Sequence, residues 1–171
     1  NHAKETARKI QYYYQDYLNI NYENEFDIVI LIYCDFGVLS PQNRTILLTK
    51  IKKALKKDGI LILDVFNSCY LNSFEILQNI KYEKYGFWSA EPHIIIQRNQ
   101  YYKKTKNTLE QYIIITKNDC ECFNIWNQIY SPNTFTEELK LAGFKIIDIY
   151  DDVKGTHFTG QSETICGIFK T

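Results

Sequence analysis

The chain has 171 residues, a length that suits a single domain. Its 20 basic and 20 acidic side chains cancel, so the protein has no overall positive field to attract nucleic acid or an anionic membrane. No apolar run in the sequence is long enough to span a membrane as a helix. The five cysteines are scattered and odd in number, which argues against a disulfide framework and favours a reducing, cytoplasmic setting.

The first residues predict a short polar helix over Asn1–Lys9 and a strand over Ile10–Tyr14, which is rich in β-formers. Asp16 and Tyr17 follow as the polar exit of that strand. The helix has no capped beginning. Because domains seldom start inside a helix, we expect a further segment upstream of it.

The central stretch predicts a strand, a helix and a second strand. Ile28–Tyr33 is a continuous apolar run that suits a strand buried on both faces. Ser40 and Pro41 begin a helix, and Gly59 is a candidate left-handed stop before a second buried strand over Ile60–Phe66. The apolar face of the helix is formed by Leu47, Leu48, Ile51, Ala54 and Leu55. Strand, helix and strand with short links predict a parallel crossover, whose ligands collect at the carboxyl ends of the strands.

After Phe66 the sequence pattern changes. A weaker helix is predicted by the recurrence, at helical spacing, of Tyr70, Phe74, Leu77 and Ile80. Then β-like runs separated by polar turns predict an antiparallel meander over Phe87–Tyr130, inserted into the α/β pattern. The predicted strands of the meander are His93–Tyr102, Leu109–Thr116 and Cys122–Tyr130.

The chain ends on a helix and two strands. Thr134 and Glu137 have the spacing of a capping box, and Gly143 is a suitable helix end. Phe144–Tyr150 and Ser162–Phe169 predict the two closing strands, which are joined by a loop that holds His157.

This order of elements resembles the carboxyl-terminal two thirds of a class I S-adenosylmethionine-dependent methyltransferase. The resemblance rests on Tyr14–Leu18, Phe26–Val29, Tyr33–Leu39, Leu55–Val65 and Leu141–Phe144. It implies an α/β fold with a partial Rossmann-like methyltransferase sheet, whose first two strands are missing. It also implies one partial domain over residues 1–171, with an inserted antiparallel substrate-side subdomain over residues 82–130.

The resemblance implies S-adenosylmethionine as the cofactor. Asp16 would then accept a hydrogen bond from the adenine, with Tyr17 beside it, while Tyr33, Cys34 and Asp35 would line the ribose and methionine. No two of the seven glycines are two residues apart, so the family's Gly-x-Gly loop is absent. We therefore expect the chain to be a fragment that is inactive alone.

The expected acceptor is a small molecule, and its candidate contacts are Trp88 and Tyr130 in an aromatic lid and His157 in the last loop. Each has a plainer interpretation, as packing aromatics or a solvated histidine. A nucleic-acid substrate is disfavoured by the neutral charge. The Cys120-x-Cys122 pair has neither the spacing nor the second pair of a structural zinc site, so no metal is expected.

A second hypothesis is a non-catalytic binding or assembly module that retains a methyltransferase scaffold. Under either hypothesis, the missing strands would leave Ile28–Tyr33 as a long apolar edge, which natural proteins avoid. We expect one of two compensations. Either Ile10–Tyr14 pairs with this edge, or a second copy of the chain covers it in a homodimer.

Overall fold

The computed structural model describes residues 10–171, in which eight strands form two four-stranded sheets. The expected helix over Asn1–Lys9 lies outside this range. The first sheet consists of β1 (Phe26–Leu31), β2 (Leu55–Phe66), β7 (Lys145–Tyr150) and β8 (Thr164–Lys170). The second consists of β3 (Gln78–Glu83), β4 (His93–Tyr102), β5 (Asn107–Ile115) and β6 (Cys120–Gln128). The α-helices in this range are α1 (Pro41–Ala54) and α2 (Pro132–Leu141).

The first sheet has the order β1-β2-β8-β7. The pair β1 and β2 is parallel, as predicted, because α1 carries the chain back across the sheet between them. The pairs β2 with β8 and β8 with β7 are antiparallel. Strand β2 therefore lies inside the sheet, while β1 is an edge strand within the described part of the chain.

Helix α1 begins as the sequence predicts but ends earlier. The Ser40 hydroxyl accepts the amide N–H of Asn43 at 3.2 Å, and Pro41 occupies the first turn. The helix stops at Ala54 because Leu55 is already paired with Phe26 of the neighbouring strand. The predicted left-handed stop at Gly59 is wrong, since positive φ occurs at Asp58 (61°), inside β2.

The core lies on the face of the first sheet that α1 and α2 cover. It contains leucines and a valine of β2, aromatic side chains from three elements, and the apolar face of α1. Its fully buried members include Phe36, Leu47, Leu48, Leu61, Leu63, Val65, Phe135, Leu139, Ile165 and Phe169. Each fully buried side chain of this size contributes about 1.5–3 kcal/mol relative to leaving it exposed. This cluster is therefore the main source of stability in the described structure.

The second sheet pairs consecutive strands throughout, each antiparallel to the next. Its first strand is Gln78–Glu83, so the predicted helix that included Leu77 and Ile80 is wrong. The start of the predicted helix is instead a 3-10 helix over Ser68–Asn72. Pairing of Ile80 with Ile96 and of Tyr82 with Ile94 explains the difference, because sheet formation overrides a weak helical pattern.

Two further predictions are corrected at the ends of the chain. Ile10–Tyr14 forms no strand and is exposed, because no described strand lies beside it. The capping box of α2 is one turn earlier than predicted, since Ser131 rather than Thr134 is the N-cap. The helix stop at Gly143 is confirmed by its φ of +84°. Over residues 10–171, no helix combines the length and the apolar character that crossing a membrane requires.

Candidate active site

Strands β1 and β2 end side by side, and the turn after β1 has an unusual backbone. Tyr33 and Cys34 both have positive φ, 80° and 58°, a region that side chains other than glycine rarely adopt. The Tyr33 side chain is 93% exposed, whereas Cys34 is buried. Such a strained backbone is common where a chain shapes a binding site.

The Asp64 carboxylate at the end of β2 holds this turn in place. Its Oδ1 accepts the amide N–H of Cys34 at 2.8 Å, and the aspartate is buried. Burial raises the pKa of Asp64, while the hydrogen bonds from backbone amides, that of Cys34 first, lower it in part. Burial and then the neighbouring Asp64 raise the pKa of the Cys34 thiol to about 12. Cys34 is therefore a neutral packing residue rather than a nucleophile.

Two more of the predicted cofactor residues lie together. Burial raises the pKa of Tyr17 to about 12, and the side chain of Asp35 adds to the rise through a hydrogen bond and its charge. Asp16 precedes them as the N-cap of a 3-10 helix, where its Oδ1 accepts the Leu18 N–H at 2.8 Å. The structure thus brings Tyr17 to Asp35 and assigns Asp16 a capping contact.

The second sheet meets the first at the carboxyl end of β2. The amide of Tyr130, just beyond β6, donates to the Phe66 carbonyl at 2.9 Å, and Tyr130 forms a parallel bridge with Asn67. Gly37, in the 3-10 helix after β1, also packs closely against Gln128, because a Cβ at Gly37 would lie 3.2 Å from the Gln128 carbonyl oxygen. These contacts orient the second sheet beside the Tyr33–Asp35 turn.

Tyr70 lies where the two sheets approach each other. Its ring stacks on Phe66 with 4.1 Å between centroids. Burial raises the pKa of Tyr70, and the carboxylates of Glu110 and Glu163 raise it further, followed by Cys34 and Tyr112. Tyr70 is therefore within electrostatic reach of both β5 and the turn after β1.

One face of the second sheet carries a hydrogen-bonded set of polar side chains. The Tyr112 hydroxyl donates to Glu110 Oε2 at 3.2 Å, and Gln97 Nε2 donates to the Tyr112 oxygen at 3.2 Å. Gln97 Nε2 also reaches Asn99 Oδ1 at 3.3 Å. This set can bind a polar ligand through both donors and acceptors.

A cavity of about 230 Å³ opens on the same face, with Trp88 and Phe87 in its wall. Trp88 packs on Tyr112 and Phe123, with ring centroids 4.9 Å and 5.1 Å apart. Gln97 and Tyr112 also line the cavity, so it continues directly from the polar set. The predicted acceptor contact Trp88 therefore lies in the wall of a cavity.

The other two predicted acceptor contacts lie elsewhere. Tyr130 is 3% exposed and its hydroxyl donates to Glu138 Oε2 at 2.8 Å, in a buried network that Arg44 completes through Glu138 Oε1 at 2.6 Å. Its side chain is thus part of the core. His157 is exposed in the loop between β7 and β8, where it forms an isolated bridge with Tyr150. Between Ile10 and Thr171, no three histidine, cysteine or acidic side chains gather closely enough to hold a metal ion.

Tyr70, Asn99 and Glu110 are not among the site residues that the sequence predicts. The sequence predicts a weak helix at Tyr70 and only strands over β4 and β5. The signal that could have found Asn99 and Glu110 is the alternation of polar and apolar side chains along each strand. Gln97, Asn99 and Glu110 lie on the face opposite to Ile94, Ile96 and Ile113.

Comparison with known proteins identifies the fold of the chain. No protein-family profile and no curated protein sequence matches the chain. Solved structures do match, and many of them are S-adenosylmethionine-dependent methyltransferases. The chain has a class I methyltransferase fold, as the resemblance in its sequence predicts.

Three of these structures illustrate the match. The CcbJ methyltransferase of Streptomyces caelestis superposes with a TM-score of 0.65 at 9% identity, over 92% of this chain and 62% of its own. An S-adenosylmethionine-dependent methyltransferase of Clostridium acetobutylicum gives 0.64 at 16% identity, over 98% and 67%. The 1,6-didemethyltoxoflavin-N1-methyltransferase of Burkholderia thailandensis, solved with its acceptor and S-adenosylhomocysteine, gives 0.56 at 12% identity, over 99% and 54%. The chain thus spans only part of each neighbour's length.

Proposed function

We propose that the chain contributes the acceptor-side portion of an S-adenosylmethionine-dependent methyltransferase that acts on a small molecule. The observation that carries the proposal is the meeting of two surfaces at one place. The carboxyl ends of β1 and β2 present Tyr33–Asp35 and Asp64, and the second sheet, which carries a cavity on its polar face, is joined to the end of β2 by the hydrogen bond from the Tyr130 amide to the Phe66 carbonyl. Ligands of open α/β sheets bind at such strand ends.

The side chains at these strand ends fit part of the cofactor. S-adenosylmethionine carries a sulfonium cation and amino groups, and when bound it supplies an activated methyl group. Asp35 and Asp64 are acidic groups suited to cationic and N–H-bearing parts of such a ligand, and the Cys34 amide is already fixed by Asp64. In this proposal Asp16, Tyr17, Tyr33, Cys34 and Asp35 form the adenine and methionine side of the cofactor site.

The remaining cofactor contacts are proposed to come from outside this sequence, which has no Gly-x-Gly loop. The first sheet then corresponds to the fourth, fifth, seventh and sixth strands of a methyltransferase sheet, and residues 1–171 form one partial domain. The second sheet would be an inserted, substrate-side subdomain, and its strands begin at Gln78 rather than near residue 82. This assignment agrees with the strand order β1-β2-β8-β7.

The acceptor is proposed to lie against the second sheet with Trp88 in the wall of its site. The aromatic wall and the polar set at Gln97 and Tyr112 are the usual composition of small-molecule sites. Acceptors of neighbouring enzymes support a small molecule, since one methylates 1,6-didemethyltoxoflavin and another is a sugar N-methyltransferase. His157 lies on a loop whose Gly160 carbonyl accepts from Cys69 beside Tyr70, and it stays a candidate contact.

Calorimetric titration with S-adenosylhomocysteine tests this function. The chain alone is expected to bind it no more tightly than about 1 mM, because the Gly-x-Gly part of the site is absent. A longer protein in which this chain is joined to a Gly-x-Gly segment is expected to bind near 1 μM, a gain of about 4 kcal/mol. Weak binding by both proteins would reject the methyltransferase function. Micromolar binding by the chain alone would reject the division of the cofactor site.

We also infer that, in the isolated chain, the edge of β1 that no strand of residues 10–171 covers is covered by a second copy. Ile28 and Ile30 on β1 and Ile32 just beyond it are exposed, and Ile10–Tyr14 does not pair with this strand. Light scattering on the chain should then show a dimer, and a monomer would reject this contact. The five free cysteines support a reducing, cytoplasmic setting for the protein.

A further inference from the structure

A second cavity lies on the face of the second sheet that is opposite to Trp88. Paired residues of an antiparallel sheet share a face, and side chains alternate between the two faces along each strand. Asn107, Trp126 and Gln128 therefore point to one face, whereas Tyr112, on which Trp88 packs, points to the other. The first three line a cavity of about 330 Å³. This cavity is separate from the proposed acceptor site.

The opposite wall of this cavity belongs to the first region and contains a guanidinium. Residues 37–41 and Arg44, in the first turns of α1, line that side. The Arg44 side chain is only 7% exposed, and its Nε donates to Glu138 Oε1 at 2.6 Å while its Nη1 donates to the Leu39 carbonyl at 2.8 Å. Its Nη2 makes no hydrogen bond to any group of residues 10–171. Because a guanidinium keeps all five of its N–H donors, unused donors remain for a ligand in the cavity.

The surroundings of the cavity are positively charged. Glu138 balances the charge of Arg44, but none of the residues that line the cavity is acidic. Gln128 Nε2 donates to the carbonyls of Thr105 and Lys106, both at 3.2 Å, and so holds the turn between β4 and β5 beside the cavity. That turn has no acidic residue and carries Lys103, Lys104 and Lys106. Three lysines at one turn raise the local concentration of anions.

The remaining wall offers apolar surface to a flat ring. Trp126 is 41% exposed, and its ring packs on Tyr102 with 5.4 Å between centroids. This contact supports the indole while much of it stays open to solvent. Val38, across the cavity, is also 41% exposed. Aromatic and aliphatic side chains with a few directed donors are the usual composition of a small-molecule site.

We propose that this second cavity binds a small aromatic carboxylate. The carboxylate accepts the unused N–H groups of Arg44, and the ring lies against Trp126. The inference goes beyond the proposed function and does not depend on it, because no lining residue belongs to the proposed cofactor or acceptor site. A ligand there would contact Gly37–Leu39, the segment that follows the Tyr33–Asp35 turn.

Benzoate and benzamide provide the test, since both have the same flat ring but only benzoate is charged. Each is titrated into the ¹⁵N-labelled chain at neutral pH, and the indole N–H signals of Trp88 and Trp126 are followed, with a Trp88→Phe chain to assign them. Benzoate is expected to shift the Trp126 signal and to bind at least about tenfold more tightly than benzamide, because charge-assisted hydrogen bonds are about twice as strong as neutral ones. Equal binding, no binding of benzoate, or a shift confined to Trp88 would overturn the proposal.

Variants on the two sides of the cavity locate the preference. Arg44→Lys keeps the charge and removes the planar fork, so benzoate affinity should fall at least about fivefold. Lys104→Gln combined with Lys106→Gln changes only exposed side chains, and so provides a test if the Arg44 variant does not fold. It should lower benzoate affinity about two- to threefold and leave benzamide affinity unchanged.

Lys117→Gln is the matched control, since this exposed lysine lies in the turn between β5 and β6. It should change neither affinity. Undiminished benzoate affinity in the double lysine variant and in a folded Arg44→Lys chain would overturn the proposal, as would an equal loss of benzoate affinity in the Lys117 control.

Discussion

The two sheets bury different kinds of side chain. The first buries hydrocarbon, with Leu61, Leu63 and Val65 of β2 against Phe169 of β8, all at 0% exposure. The second buries the apolar Ile95, Leu109 and Ile114, but it also buries the polar Asn99, Thr108 and Asn127. Hydrocarbon burial stabilises a fold directly, whereas a buried polar surface costs free energy unless something pairs with it. We therefore expect the first sheet to contribute more to the stability of the fold, whereas recognition by the second sheet remains our proposal.

The largest expected difference between the two sheets is in the reactivity of their cysteines. Cys34 and Cys166 are buried in the first region, where burial raises the pKa of Cys34 to about 12 and that of Cys166 to about 11. Cys120 and Cys122 are exposed on β6. Iodoacetamide should alkylate the exposed pair at least about a hundredfold faster, because the thiolate is the reactive form. Mass spectrometry of the folded chain measures this difference, and in urea all five cysteines should react alike. Rapid alkylation of folded Cys34 would contradict the burial described for it.

Matched phenylalanine truncations sharpen the comparison in terms of stability. Phe169→Ala in the first sheet should lower the free energy of unfolding by about 3–5 kcal/mol, because it opens a cavity beside Phe135, whose ring centroid is 5.4 Å away. Phe123→Ala in the second sheet should cost about 1 kcal/mol, since its side chain is partly exposed. Urea denaturation of both variants measures the pair of values. Equal losses would mean that the second sheet also carries the stability of the fold.

The second sheet should respond in the opposite direction when its buried polarity is removed. Thr108→Val replaces the unpartnered hydroxyl with a methyl group of similar size. We expect the free energy of unfolding to rise by about 1 kcal/mol, because no desolvated hydroxyl remains. Thr105→Val, in the exposed turn before β5, is the control and should change stability by less than about 0.5 kcal/mol. A loss of stability in Thr108→Val would show that the hydroxyl has a partner in the folded state.

The smallest expected effect is a pH dependence at the carboxyl end of β2. Burial raises the pKa of Asp64 in the folded state, so its contribution to stability is complete below the ordinary pKa of an aspartate and is lost as pH rises through the folded value. Asp64→Asn has no such titration and should gain stability relative to the wild type between acidic and neutral pH. Urea midpoints measured across that range test the sign. A relative loss at neutral pH would mean that the backbone hydrogen bonds outweigh burial.

Local sequence signals predicted the crossover of the first sheet and the approximate positions of β4, β5 and β6 in the second, but not which polar residues share a face. The crossover of β1, α1 and β2 was accessible because Ser40, Pro41 and two apolar runs each point to the same structure. The polar residues that share one face of the second sheet could not be predicted, since their grouping depends on the register between paired strands. Pairing, for example, places Glu110 beside Asn99. The end of α1 was missed for a similar reason, because tertiary pairing of Leu55 overrides the helical pattern.

The turn at Tyr33 and Cys34 has a consequence for how tightly a ligand could bind. Two successive left-handed residues that are not glycine cost about 1–2 kcal/mol each, and the fold bears that cost before any ligand arrives. A flexible glycine turn would instead lose its freedom on binding and weaken the complex by a comparable amount. Here the order is already present, fixed by the Asp64 hydrogen bond. A ligand at this turn would contact a backbone that is already ordered, so little conformational entropy would be lost on binding.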